Sequence, residues 1–517
     1  MPVKEVAERS EVDQHLAALL SNSGAIRAVV EAVAGTIGPK GLDCMLVDQY
    51  GSMLVTNDGV TILKTMDVTH PAARMLISAA EHQEEQVGDG TTTAAVITGA
   101  LVAEGVSQVI KGVPVIKVID GIKSGIARAL EELRQAAVKL DDLNHPVLDQ
   151  IALIAARQHQ EIAALVVQAA RTVGGSRLAE PGFKLSDQVV ALAGADSQLI
   201  PGTIINKEPL NKAMPRQING AKILILDDAL EPKQVEPDAL RNEAGFRRQL
   251  QNEEEFRANL EKLVKLGVKA IFTDRAIADQ VEDWLTDYGI IGVHRVALHE
   301  WRRLAQLSGA RPIKRTSLAK PAVELETVLG EVAAITVDEK YRLIRITGKP
   351  EQHYVTVVIG AATKAVVEEW ERVAKDAAAA VQAAWCGGVV PGGGSVELAI
   401  AHRLAEVQSR GLSGYGFSCV IEALKRPLAQ IVQNAGFNPL EKVEAVLTRL
   451  TAAPTYALGV NCDTGAIEDL TQSGIWDPYF VKYFAIKSAG EVSEAVLRIN
   501  TIIKMKGAEL PGTDNPG

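Results

Sequence analysis

Residues 206–350 interrupt a pattern that holds on both sides of them. Within this stretch the short β-rich runs AKILILDDAL, VKAIFTD and GIIGVHRV alternate with helical segments such as AIADQVEDWLTDYG. Before and after it, long Ala/Leu/Val patterns of helical period dominate. A chain of 517 residues exceeds what one ordinary core can organise. The economical architecture is therefore a mainly helical domain assembled from both chain ends, with an α/β domain inserted. Aromatic residues make up only 4% of the chain, so Ala, Val, Leu and Ile must fill the cores, which favours helix-rich packing.

The helical ends are punctuated by glycine. A helix over about residues 11–35 stops at GTIGPKG, CMLVD and SMLVTNDG read as a hairpin, and HPAARMLISAAEHQEEQ opens a further helix at its proline. Four glycine-centred loops result: TIGPKG (36–41), TNDGVT (56–61), GDGTTT (88–93) and PGGGS (391–395). Each alone is an ordinary turn. Helices start directly after three of them, however, and a helix start offers unpaired N–H groups and the positive end of the dipole to an anion. There is no G-x-x-x-x-G-K-[ST], so a bound phosphate would be held by backbone N–H groups, threonine hydroxyls and a metal. Asp89, between Gly88 and Gly90, suits a magnesium ion bridging phosphate oxygens. Asp58 reads equally well as a turn aspartate, whereas Asp376, inside VAKDAAAAV, reads on residue chemistry alone rather as a residue on a solvated helix face.

Other chemistries find little support. A net charge of -10 leaves no basic excess for general nucleic-acid binding. Cys44, Cys386, Cys419 and Cys462 are far apart and read as small buried hydrophobes of a reducing compartment. The nine histidines show no zinc-ligand spacing. The opening MPVKEVAERSEVDQ has no apolar leader, and no uninterrupted apolar run is expected to span a bilayer. The expectation is a cytoplasmic protein with neither nucleic-acid nor membrane partners. Residues 242–267 form a densely charged amphipathic helix with Phe246, Leu250, Phe256, Leu260, Leu263 and Leu266 as its apolar members. Such a helix is expected to stand largely in solvent and meet partners at its tip, with Leu263 and Leu266 anchoring its base on the α/β domain.

TIGPKGLDCMLVD, LVTNDGVTILKTMDVTHPAARML, VGDGTTTAAV, VVPGGGSVELAIA and GIWDPYFVKYFAIKSAGEVSEAVLRI occur in an order that resembles the chaperonins. The likeness is to the thermosome and eukaryotic cytosolic branch, and it covers nearly the whole chain. IINKEPLNKAMPRQINGAKILILDDALE resembles that branch's apical domain. Three departures resemble the divergent bacterial group III chaperonins. The usual Thr/Ser-rich stretch ending in Gly-Lys is replaced by LIAARQHQEIAAL, Pro391 precedes the glycines, and the C-terminal GAELPGTDNPG has no Gly-Met repeats.

The resemblance implies a multidomain α+β fold: a mainly helical discontinuous equatorial domain (1–140 and 386–517), a small intermediate domain (141–205 and 351–385) and an inserted α/β apical domain (206–350). A helical protrusion at about 242–267 would be a built-in lid. It implies an ATPase that encloses non-native proteins in a homo-oligomer of two stacked rings, without a separate lid protein. Carried over, Asp58 and Asp376 would position and activate the attacking water. Asp89 would ligate Mg2+. ATP would be bound by Thr36, Ile37, Gly38, Pro39, Asn57, Gly59, Gly88, Asp89, Gly90, Thr91, Thr92, Thr93, Gly392, Gly393, Asn461 and Asp477. Arg157 is the substitute candidate for the missing lysine that senses the γ-phosphate. The rival classes are a soluble ATP-dependent metabolic enzyme and a structural ring with a degenerate site; intact Asp58, Asp89 and Asp376 disfavour the second.

Overall fold

The computed structural model describes residues 10–48, 50–51, 53–236, 238, 241–349, 352–407 and 411–505. Most of the N-terminal MPVKEVAERSEVDQ and all of GAELPGTDNPG lie outside them. The chain divides into two compact units, one of Met1–Gln158 with Ala379–Gly517 and the other of His159–Ala378.

The first unit is helical and is built from both chain ends. Helices His15–Ala34, Pro71–Val87, Thr91–Ile110 and Val115–Ala136 come from one end, and Ser395–Glu406, Ser413–Asn434 and Tyr479–Leu497 from the other. Their apolar faces merge in one core, where Leu19, Ile97, Leu101, Ile122 and Leu133 meet Ile400, Val420, Leu424 and Ile486. Backbone closeness makes this possible. A Cβ on Gly121 would stand 2.0 Å from Ser413 O, and one on Gly416 would stand 2.0 Å from Val118 O. Small residues thus let Val115–Ala136 and Ser413–Asn434 pack with their main chains in contact. Strand Ser10–Gln14 pairs antiparallel with Thr501–Met505, and Cys44–Val47 pairs with Met53–Thr56 as the expected hairpin.

Leu16–Ala34 and Thr91–Ile110 are each long and apolar enough to cross a membrane by length and composition, although Arg27, Glu31 and Glu104 interrupt their apolar runs. The reason for their apolar character is their place in the core: Leu19, Ile26 and Val33 of one helix and Ala95, Ile97, Leu101 and Val102 of the other are buried there. The cysteines depart from expectation. All four are free, but only Cys419 is buried; Cys44 and Cys462 are half-buried and Cys386 is exposed.

The second unit holds two sheets. The larger has six strands in the order Thr203–Ile205, Leu343–Thr347, Gly330–Asp338, Gln217–Leu226, Val268–Thr273 and Ile291–Val293. The last three are mutually parallel, and the rest pair antiparallel. Parallel central strands are covered on both faces, which accounts for the unbroken apolar ILIL ending Gln217–Leu226. Val189–Ala193, Val355–Ala361 and Gln198–Pro201 form the smaller sheet. Helix Lys364–Gly387 runs through the boundary between the units.

Helix Glu243–Lys265 has two halves with different surroundings. Asn242 caps it by accepting from Gly245 N, and Phe246 and Leu250 are exposed. Further along, Leu260 and Leu263 are buried with Leu224, Ile271 and Leu285, and Phe256 and Leu266 pack against that cluster. The first half stands largely in solvent, tied to residues 233–235 where Asn252 donates to Lys233 O and Gln249 accepts from Val235 N, and the second is a core helix of the inserted unit. Leu263→Ala is therefore expected to cost about 2–5 kcal/mol, whereas Phe246→Ala should stay within about 0.5 kcal/mol. Chemical denaturation of the two variants checks this, and equal losses would contradict the division.

Candidate functional site

The loops converge through glycine. Asp58 caps helix Gly59–Thr65, its carboxylate accepting from both Thr61 N and Thr61 Oγ1. A Cβ on Gly59 would lie 2.3 Å from Thr92 Oγ1 and 3.1 Å from Thr91 Oγ1. The start of Gly59–Thr65 therefore rests directly on the start of Thr91–Ile110. The adjoining Asn57 Oδ1 is buried and has no hydrogen-bond partner among the described residues.

Gly88 ends Pro71–Val87 at φ 65°, and Gly90 opens Thr91–Ile110 at φ 81°, both left-handed positions that favour glycine. No side chain caps the new helix. The N–H groups of its first turn thus lack the partner that a serine or aspartate cap would supply, which is the anion-binding geometry of a helix start. Thr91 and Thr93 are buried and Thr92 is half-buried. The loop is fixed from behind by the buried Gln83, whose Nε2 donates to Asp89 O (2.9 Å) and to Val481 O (3.1 Å). Sequence reasoning passed over Gln83, which reads there as one polar position in a helix.

Asp89 accepts from Gly90 N at 2.6 Å. Its edge is open to solvent, yet the surrounding protein desolvates the carboxyl and raises its pKa above the usual carboxylate range. The Asp477 carboxylate adds to that rise, while the Gly90 N–H and Lys482 oppose it. No group of three His, Cys, Asp or Glu that could hold a metal exists among the described residues. This still fits Mg2+, which commonly takes one or two carboxylates and completes its shell with phosphate oxygens and water. Burial and the nearby Asp477 carboxylate make the ionised form of Asp89 costly, and a cation held there would offset that cost.

The other loops meet the same region of the helical unit. Val390 pairs with Asp477 in a short antiparallel ladder, and Gly392 lies bare against the Asp477 carboxylate, where an added Cβ would stand 3.0 Å from Asp477 Cγ. Gly393 has φ 65°, and Gly394 opens helix Ser395–Glu406, again with no side-chain cap. In the 36–41 loop, Thr36 Oγ1 donates to Val33 O, and Asn434 Nδ2 donates to Ala34 O and Ile37 O, each at 2.9 Å. Gly38 and Pro39 are exposed, with Gly38 packed over Ile431. Lys40 reaches Asp463 at 2.6 Å and so links this loop to the 461–464 turn. There Asn461 is occupied structurally, accepting from Asp463 N and Thr464 N and donating to Glu468.

Two candidates belong to other segments of the chain. Asp376 lies in Lys364–Gly387 on the inserted unit's side of the boundary, with Arg372 Nη1 3.6 Å from its Oδ2. Arg157 lies in the middle of the 156–158 turn after helix Pro146–Ala155, where it and Gln158 both take positive φ, 49° and 66°.

Residues 29–507 match the TCP-1/cpn60 chaperonin family. Thermosome subunit beta of Archaeoglobus fulgidus is 33% identical over 518 residues, covering 94% of this chain and 92% of that protein. A thermosome subunit of Methanocaldococcus jannaschii is also 33% identical, over 94% of this chain and 92% of its own length. Among solved structures, a group III chaperonin crystallised in the open state superimposes with a TM-score of 0.82 at 44% identity, covering 95% of this chain and 99% of that one.

The contact at Gly59 gives a direct test of the convergence. Gly59→Val must push its side chain into Thr92 and separate two helix starts. Nucleotide affinity should fall about tenfold or more while the circular dichroism spectrum stays native. Unchanged affinity would contradict the arrangement.

Proposed function

The chain belongs to the TCP-1/cpn60 chaperonin family, and we propose that its four glycine loops hold Mg–ATP for hydrolysis that drives chamber closure. It is an ATP-dependent chaperonin and an ATPase; a metabolic enzyme is not supported. The observation that carries the site proposal is the meeting of two helix starts at Gly59 and Thr92, one of them with no side-chain cap.

Gly88, Gly90 and Thr91–Thr93, with Gly38 and Pro39, would receive the phosphates. Gly392, Gly393 and Asp477 would line the nucleoside, and Asn461 would shape the wall through its turn. Asp89 would hold the cation, which when bound neutralises charge developing on the phosphate oxygens. The Asp58 carboxylate, fixed by Thr61, would orient the attacking water, and Asp376 would accept its proton. Arg157 is proposed as the residue that senses the γ-phosphate, on its position alone.

The assembly is proposed as a homo-oligomer of two stacked rings. Hairpin residues Met45, Val47, Met53 and Val55 are exposed, and an apolar two-stranded hairpin is marginal alone in water. That supports burial against another copy. The exposed first half of Glu243–Lys265 would form the tip of a built-in lid, so no separate lid protein is required. Non-native proteins are the proposed clients, in the cytoplasm, with neither membrane nor nucleic acid as partner. The three-domain boundaries at about 140, 205, 350 and 385 belong to the same proposal.

Asp376→Ala should leave ATP affinity near wild type and lower turnover about a hundred- to ten-thousand-fold. Asp89→Ala should lose affinity for ATP in magnesium as well as rate. Turnover of Asp376→Ala within about threefold of wild type would remove that residue from the mechanism, and unchanged affinity in Asp89→Ala would move the cation elsewhere. Replacing residues 243–255 by a Gly/Ser linker, with Leu260 and Leu263 kept, should preserve ATP hydrolysis but abolish protease protection of an enclosed client. Full protection by that variant would contradict the built-in lid.

A further inference from the structure

Three charges lie immediately behind the nucleotide loops. Lys482, in the first turn of Tyr479–Leu497, places Nζ 2.8 Å from Asp477 Oδ2 and 2.7 Å from Glu397 Oε1. The Lys482 and Glu397 side chains are 7% and 0% exposed, and that of Asp477 is 24% exposed. The row thus runs from full burial at Glu397 to the open edge of the site at Asp477. Burial by itself would lower the Lys482 pKa, but Asp477 and Glu397 more than reverse this and hold it above an ordinary lysine's.

Stability does not account for this row. Desolvating ions is costly, and replacing a buried pair by apolar groups of similar volume is often neutral or stabilising. Glu397 Oε2 has no hydrogen-bond partner among the described residues, so the buried carboxylate is not even fully satisfied. What the row does is mechanical. Glu397 sits in the first turn of Ser395–Glu406, the helix that opens at Gly394 of the glycine loop. Asp477 lies against the bare face of Gly392 in that loop. Lys482 ties the two together. Its neighbour Val481 braces the cation loop: its carbonyl accepts from Gln83, and its Cγ1 would be 2.5 Å from a Cβ on Gly90. One helical turn therefore supports the Asp89 loop with one residue and Asp477 with the next.

We infer that Lys482 is a positioning residue of the nucleotide site, backed by Glu397, that pins the Asp477 carboxylate against Gly392 to receive the hydroxyls of the nucleoside. The inference rests on the nucleotide reading of the four loops given above.

Removing Lys482 alone would strand Glu397, so the test variant is E397Q/K482M, in which both buried charges go together. ATP and 3′-deoxyATP are titrated against wild type, D477N, E397Q/K482M and the triple variant in the assembled protein. D477N and E397Q/K482M should each raise KM for ATP about tenfold with kcat nearly kept, and each should lose discrimination between the two nucleotides. The triple variant should be no weaker than D477N, because residues acting through one another are not additive. Additive losses, or discrimination retained in E397Q/K482M but lost in D477N, would overturn the role of Lys482. Wild-type affinity and discrimination in D477N would be a different failure, removing Asp477 from the nucleotide site and the inference with it.

Discussion

Everything proposed for the site depends on two stretches of main chain coming closer than side chains permit. At Gly59 the start of one helix lies on Thr91 and Thr92 of another. Gly90 leaves the second helix without a side-chain cap and lies under Val481. Each glycine costs conformational entropy on folding, and the return is a cluster of backbone donors that no side chain covers. Phosphate recognition by backbone N–H groups needs no particular charged residue. This explains how a chain with net charge -10 can hold a polyanion.

The ion row behind that surface illustrates a different economy. An exposed Lys–carboxylate pair such as Lys40–Asp463 contributes little to stability, and the buried Glu397–Lys482 pair is not an evident gain either. Both, however, fix the place of a loop. Lys40 attaches the 36–41 loop to the 461–464 turn, and Lys482 attaches the 476–478 strand to the helix that opens at Gly394. In the helical unit, then, ion pairs orient the loops while apolar helix packing carries the stability.

Much of this was legible in the sequence because it is local. Glycine loops followed at once by apolar helical periods betray helix starts, and Pro71, Asn57-Asp58-Gly59 and Gly392–Gly394 mark theirs within a few residues. The alternation of strands and helices in 206–350 is likewise a short-range pattern. What was not legible is set by contacts between distant parts of the chain. Gln83 matters because Val481 lies beside it, and Lys482 matters because Glu397 does; neither pairing has a local signal, although Lys482 stands in GIWDPYFVKYF, within one of the stretches that carry the chaperonin resemblance. In the charged helix at 242–267 the anchoring of its base through Leu263 and Leu266 was legible, but its composition hides that the anchor reaches back to Leu260 and Phe256. Cys386 is exposed and Thr91–Ile110 is apolar enough for a membrane, two cases where residue type alone misjudges surroundings that only tertiary packing decides.

The central claim is that the start of Thr91–Ile110 and the bare glycines around it receive the phosphates of a magnesium nucleotide. A structure of the protein with Mg–ADP and a γ-phosphate mimic tests it most directly. The account predicts phosphate oxygens within about 2.7–3.2 Å of the N–H groups following Gly90, with the cation on Asp89 and the nucleoside beside Gly392 and Asp477. Nucleotide bound elsewhere on the protein, with that helix start left to water, would contradict it.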